Sequence, residues 1–192
     1  IRDVAVQAGY KTKHIYIDEI GWSASAKKFV DLDNNVIKVI FKLYPWEWLM
    51  EEEFGKQLFR VPWIIIEPAW KSLLSNKAIL PILWELYPGH PNLLPAYFDN
   101  RFTDNYVQKP FFSREGENIR IVKNGTVYEK NGTYGKEGYI YQEYRTVPEF
   151  NGNFTTIGSW IINGKSAGIG IREDKTEITM NSSRFIPHFF EE

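Results

Sequence analysis

The sequence predicts an α+β fold, and three features carry that prediction. Four Asn-Gly pairs (Asn124-Gly125, Asn131-Gly132, Asn151-Gly152 and Asn163-Gly164) punctuate the second half, between runs rich in β-branched and aromatic residues. Asn-Gly is the strongest short hairpin signal because both residues tolerate positive φ, so the chain beyond residue 105 reads as mostly antiparallel sheet. The first half mixes strand-like runs with helical stretches that follow Pro45 and Pro68, proline being suited to a first helical turn. The third feature is size: 192 residues, 43% of them hydrophobic, suffice for one large domain or two small ones with a real core.

In chain order, residues 1–9 (IRDVAVQAG) read as the last turns of an amphipathic helix, with Gly9 as a C-terminal cap. Residues 13–18 (KHIYID) alternate like a strand. Runs 29–32 and 36–43 bracket Asp33-Asn34-Asn35 and predict a hairpin. Residues 46–54 have helical composition, whereas 61–67 (VPWIIIE) form a continuous apolar run and predict a buried strand. Helical stretches follow from Pro68 and over 77–86, where Tyr87-Pro88-Gly89 ends the second. Runs 119–123, 126–129, 139–144, 155–162 and 167–172 complete the predicted strands.

Composition excludes several functions. Basic and acidic residues number 23 and 24, so there is no global pull toward nucleic acid or anionic membrane. No apolar run approaches the ~20 residues of a membrane helix, and no signal-peptide pattern opens the chain. Zero cysteine removes disulfides, thiolate metal sites and a Cys nucleophile, and fits a reducing, cytoplasmic setting. The chain starts at Ile1 inside a helix-like segment, which predicts a portion of a longer protein.

His14, His90 and His188 lack metal-ligand spacing and read as structural. Glu51-Glu52-Glu53 reads as a solvated helix face, since consecutive helical residues point about 100° apart. Three stretches hold more chemistry. Residues 107–117 (VQKPFFSREGE) put a lysine before a glycine-containing loop, which suits phosphate but also an ordinary surface hairpin. Residues 141–147 (YQEYRTV) suit an adenine edge or a half-exposed strand. Residues 168–174 (GIGIRED) end in an arginine that either meets phosphate charge or pairs with Glu173 or Asp174.

Taken together, ordered segments at 64–94 (IIIEPAWKSLLSNKAILPILWELYPGHPNLL), 106–119 (YVQKPFFSREGENI), 138–154 (GYIYQEYRTVPEFNGNF) and 157–174 (IGSWIINGKSAGIGIRED) resemble the synthetase domain of glutathionylspermidine synthases and their stand-alone acid–amine ligase relatives. Segments 18–22 (DEIGW) and 42–48 (KLYPWEW) extend the resemblance toward the start.

The resemblance implies an ATP-grasp fold of the glutathionylspermidine synthase/glutathione synthetase type, in which ATP lies between two α+β lobes. It implies ligation of a peptide-like carboxylate to an amine through an acyl-phosphate. On this reading residues 1–67 belong to the substrate-side region, 68–140 to the small lobe with its phosphate loop, and 141–192 to the core sheet. Carried over by position, Lys77 and Lys109 resemble the two ATP lysines, and Ser113, Arg114, Glu115 and Gly116 the loop over the phosphates. Gln142, Glu143, Tyr144 and Arg145 match the adenine segment, and Glu177, Ile178 and Thr179 a further nucleotide-contacting strand. Arg172 matches the catalytic arginine near the transferred phosphate, and Trp48 a substrate contact.

The family's Mg2+ ligands lie in Arg-x-Asp and Glu-x-Asn segments; the opening IRDV is not such a motif, because Arg2 and Asp3 are adjacent. The expectation is therefore an N-terminally truncated, catalytically inactive C-terminal portion, with ATP and Mg2+ as cofactors and the metal held by residues upstream. Two alternatives remain open. One is a phosphotransferase on the same scaffold. The other is a non-catalytic nucleotide- or protein-binding module whose tryptophans, such as Trp70 and Trp160, meet a partner.

Overall fold

The computed structural model describes residues 1–189 and 191. The chain is mixed α/β, with short helices and several sheets, and divides into two units, residues 1–73 and 74–192.

The first unit opens with helix α1 (Arg2–Gln7), which buries none of its residues; Gly9, at φ 86°, follows it. Strands β1 (Gly21–Ser23) and β2 (Lys28–Val30) form an antiparallel pair. Strands β3 (Val39–Phe41) and β4 (Ile64–Ile66) form a parallel one, and helix α2 (Trp46–Glu51) lies between them in sequence. The core is aromatic. Phe29, Trp46 and Leu58 are buried, Phe29 stacks on Trp63 at 4.3 Å between centroids, and Trp22 meets Phe29 edge-on at 5.2 Å. The Trp63 indole N–H donates to the Leu58 carbonyl at 2.9 Å, so its polar edge is satisfied as its ring is covered.

Three local expectations fail here. Residues 13–16 are irregular, and a 3-10 turn covers Ile17–Glu19, because the Tyr16 N–H is taken by the Glu19 carboxylate at 2.8 Å. The expected hairpin around residues 33–35 shrinks to one bridge, Val30 to Val36, and β3 pairs with β4 instead. Asp31 reinforces the short turn that is left: its carboxylate accepts the N–H groups of Asp33 (3.0 Å) and Asn35 (2.8 Å), beside the backbone bonds from Asp31 N–H to Asn35 O (3.0 Å) and from Ile37 N–H to Phe29 O (2.9 Å). Lys13 Nζ adds a bond at 2.8 Å; that bond first, and then those from Asn35, hold Asp31 down at about 2. Finally, β4 is not a buried strand: Ile64 and Ile66 are exposed, and only Ile65 packs against the core. Glu51, Glu52 and Glu53 are exposed, as expected of a solvated face.

Helix α3 (Ser72–Ser75) spans the boundary between the units. In the second unit, helix α4 (Ile79–Leu86) carries Pro81 in its first turn, where a missing N–H costs nothing. Two antiparallel sheets follow. One contains β5 (Ala96–Tyr97), β6 (Tyr106–Pro110), β7 (Arg120–Lys123), β8 (Thr126–Glu129) and β9 (Tyr139–Glu143), in the order β5-β9-β6-β7-β8. The other runs β10 (Glu149–Phe150), β11 (Asn153–Ile162), β12 (Lys165–Asp174) and β13 (Arg184–Ile186) side by side. Asn124-Gly125, Asn151-Gly152 and Asn163-Gly164 turn the chain with positive φ at both residues, as predicted. Asn131-Gly132 does not; Gly132 packs where a Cβ would stand 2.6 Å from that of Glu117. Among the described residues no helix is long and apolar enough to cross a membrane.

Candidate functional site

Strand register builds the site. Alternation puts Val107 and Lys109 on one face of β6, and Val107 lies opposite Ile121 of β7 and Gln142 of β9. An apolar floor, a lysine and an amide therefore share one face. They line a cavity of about 440 Å³, entirely within the second unit.

Lys109 Nζ donates to Gln142 Oε1 at 2.6 Å. Burial, and secondarily the charge of Lys77, push its ammonium down to about 8. Burial disfavours the charged form, and a like charge nearby disfavours it further. Lys77 precedes α4; its backbone N–H donates to Phe111 O at 2.9 Å and its Nζ to Ser113 O at 2.9 Å. It thereby ties the start of the helix to the loop after β6.

That loop contains Ser113, Arg114, Glu115 and Gly116. Gly116 sits at φ +74°, and a Cβ there would stand 2.4 Å from Ile178 Cγ2 and 2.8 Å from Thr179 O. Only glycine permits both this conformation and this approach. Ser113 Oγ is buried without a hydrogen-bond partner, and so is Arg172 Nε. Arg172 otherwise donates from Nη2 to Met180 O and to Glu115 Oε2 (3.3 Å), with its guanidinium 5.3 Å from the Phe185 ring centroid. Two buried polar atoms with no protein partner facing one cavity are what a polar ligand would satisfy.

At the other end, Tyr144 Oη donates to Glu177 Oε1 at 2.6 Å, and Lys123 Nζ reaches the same oxygen at 3.0 Å. The interactions of Lys123 with Tyr144 first, and then with Glu177, raise its pKa. Arg145 pairs with Glu143 at 2.9 Å. Of the positions singled out in the sequence, Lys77, Lys109, Ser113, Glu115, Gly116 and Arg172 line this cavity. So do Gln142, Glu143, Tyr144, Arg145, Glu177, Ile178 and Thr179. Arg114 belongs to the same loop but not to the lining, and Trp48 lies in the first unit. Sequence reasoning missed Leu94, Val107, Ile119, Ile121 and Val147, the apolar part of the wall, and Lys123 beside it.

The cavity does not fit a protein-held metal. Glu115, Glu143 and Glu177 are each paired with a cation, and no group of three His, Cys, Asp or Glu among the described residues could hold an ion. The histidines lie outside the cavity lining: His14 meets the Tyr16 ring edge-on at 5.0 Å, and His90 Nδ1 accepts the Asn92 N–H at 3.2 Å.

Over residues 1–191 the sequence matches the family described as "Glutathionylspermidine synthase preATP-grasp". It is 43% identical over 201 residues to a Haemophilus influenzae protein named "Putative acid–amine ligase", covering 99% of this chain and 51% of that protein. It is 34% identical to the trypanothione synthetase of Crithidia fasciculata (81% of this chain, 28% of that protein). It is 28% identical to the bifunctional glutathionylspermidine synthetase/amidase of Escherichia coli strain K12 (94% and 34%). The chain thus spans about half or less of the length of these relatives.

Proposed function

The chain belongs to the glutathionylspermidine synthase preATP-grasp family, and from that premise we propose that its second unit forms the nucleotide cleft of an ATP-dependent carboxylate–amine ligase with ATP-grasp lobes. One observation carries the reading: two lysines from separate elements, Lys77 and Lys109, line one cavity with a buried, unpartnered Ser113 Oγ and Arg172 Nε.

ATP supplies phosphoryl activation of a carboxylate, so that an amine can displace phosphate and leave an amide. The residues named for the site divide this work. Val107, Ile119 and Ile121 give the apolar slot for a base, and Gln142, Glu143, Tyr144 and Arg145 flank its polar edge. Lys77, Lys109 and the Ser113–Gly116 loop hold phosphates, with fixed cations and N–H donors set out before charge develops. Arg172 stabilises the transferred group, and Trp48 is assigned to the acid substrate. Glu177 is ion-paired with Lys123 and accepts the Tyr144 hydroxyl, which lessens its repulsion of the nucleotide.

The metal is assigned to residues outside this set. Nucleotide binding is accordingly assigned to this chain. Ligation of a small carboxylate and a small amine, in a cytoplasmic setting, is assigned to a protein that joins the chain to metal- and acid-binding residues; the 192-residue chain by itself is expected to be inactive. A second reading, a protein-binding module, draws on the exposed Ile157, Trp160, Ile161 and Ile162 of β11.

Calorimetric titration with ATP decides between the two. Binding that is lost in Lys109→Met and kept in His90→Ala is the expected result. Absence of ATP binding in the wild-type chain would remove the ligase reading. ADP release with a panel of acids and amines by the 192-residue chain alone would overturn its assigned inactivity.

A further inference from the structure

A carboxylate in a phosphate-binding loop is a contradiction of charge, and Glu115 is such a carboxylate. Its Oε2 lies 3.3 Å from Arg172 Nη2, and both residues line the cavity. Left there, it would repel the group that Arg172 is meant to receive.

Resting on the nucleotide reading above, we propose that Glu115 is a gate on Arg172: in the nucleotide-free protein its side chain occupies the guanidinium, and an incoming phosphate displaces it.

The surroundings favour movement of this side chain over movement of anything else. Arg172 is held from two other directions, by its bond to Met180 O and by the Phe185 ring at 5.3 Å. It keeps its place when Glu115 leaves. The loop backbone is held as well: Lys77 Nζ bonds Ser113 O at 2.9 Å, Lys130 Nζ bonds Glu115 O at 2.6 Å, and Gly116 abuts Ile178 and Thr179. The Glu115 side chain is 42% exposed and makes one contact of ordinary length with the arginine. It can turn outward into water without opening a core. A half-exposed pair of this kind is weak enough for a multiply charged phosphate to outcompete.

The gate has a sign opposite to that of an ordinary binding residue. Removing a group that holds the nucleotide weakens binding, whereas removing the gate strengthens it. Glu115→Gln is expected to tighten ATP binding about three- to tenfold and to leave adenosine binding unchanged. Bare removal of a negative charge near the triphosphate would do the same, so the deciding experiment is a double-mutant cycle with Arg172→Gln. A gate acts only through Arg172, and the gain from Glu115→Gln then falls below about twofold in the Arg172→Gln background. A gain that survives there, no gain at all, or weaker binding overturns the gate while leaving the nucleotide reading intact. If the wild-type chain binds no ATP, the nucleotide reading and the gate fall together.

Should Arg172→Gln bind ATP too weakly to titrate, the ligand-free protein gives a second measurement. The rate of phenylglyoxal modification at Arg172, read by mass spectrometry, should rise in Glu115→Gln. An unchanged rate means that the pair does not shield Arg172 in solution, and the gate is refuted.

Discussion

The two units hold themselves together by different means. The first has only two-stranded pairs, and its stability rests on side chains: the Phe29–Trp63 stack, buried Trp46 and Leu58, and the Asp31 carboxylate that closes a turn. The second has a five-stranded and a four-stranded sheet, and its stability rests on backbone ladders. Where ladders fix the chain, polar side chains need not serve the fold. Ser113 Oγ and Arg172 Nε accordingly stand unpartnered around a cavity in the second unit, whereas in the first the Asp31 and Glu19 carboxylates are spent on local turns and the buried, unpartnered Trp46 Nε1 belongs to the aromatic core.

The comparison can be tested from its largest expected effect downward. Phe29→Ala removes the ring shared by Trp22 and Trp63 in a unit with few ladder bonds to compensate, and should cost about 3–5 kcal/mol by denaturant unfolding. A loss under about 1 kcal/mol would mean that the aromatic cluster does not carry that unit. Next, Gly116→Ala puts a Cβ 2.8 Å from the Thr179 carbonyl in a left-handed conformation, and should lower ATP affinity by more than about tenfold through the loop. Unchanged affinity would show that the loop does not shape the site.

The smallest effect is one of pH. Lys109 falls to about 8 from its ordinary value of 10.5, so between these pH values the unfolded chain binds more protons than the folded one. Stability attributable to this residue therefore rises with pH across that window, by at most about 1.4 kcal/mol per unit. Lys13 and Lys123 are shifted upward and lose their contributions only above their ordinary range, so they do not mask the effect below pH ~10. Urea unfolding at pH 7.5 and 9.5 should show the rise in wild type and its loss in Lys109→Met; equal slopes in the two would mean that Lys109 is not depressed.

What the sequence made legible follows the same division. The second unit's strands could be read because their signals are local: Asn124-Gly125 and Asn163-Gly164 specify positive φ wherever they occur, and alternation does the rest. Asn131-Gly132 carries the same signal, but packing of Gly132 against Glu117 overrode it. The first unit resisted because its determinants are distant. Alternation in 13–18 has no strand to pair with, and the 61–67 run is half exposed because only one face, Val61, Trp63 and Ile65, packs against the aromatic core. At the site, Lys77, Lys109, Arg172 and the 142–145 and 177–179 segments follow from the family resemblance by position; residue type alone leaves Lys77 as an ordinary solvated lysine. Val107, Ile119 and Ile121 could not be singled out, since an apolar residue lining a cavity reads the same as one filling a core. Nor does any local pattern announce the Glu115–Arg172 pair, whose members are 57 positions apart.

The β11–β12 hairpin has a practical consequence for the chain in solution. Strand β10 reaches only Asn153 and Phe154 of β11, and β13 only the stretch from Ile171 to Glu173 of β12. Beyond them the hairpin continues as a bare two-stranded ribbon to the Asn163-Gly164 turn, with Ile157, Trp160, Ile161 and Ile162 in water. From Ile157 to Ile162 it bears no charge and no proline. Both flanks present unpaired backbone to any strand that drifts alongside. A charged residue at Ile161 would interrupt that uncharged run, and it is expected to raise the concentration at which the protein self-associates.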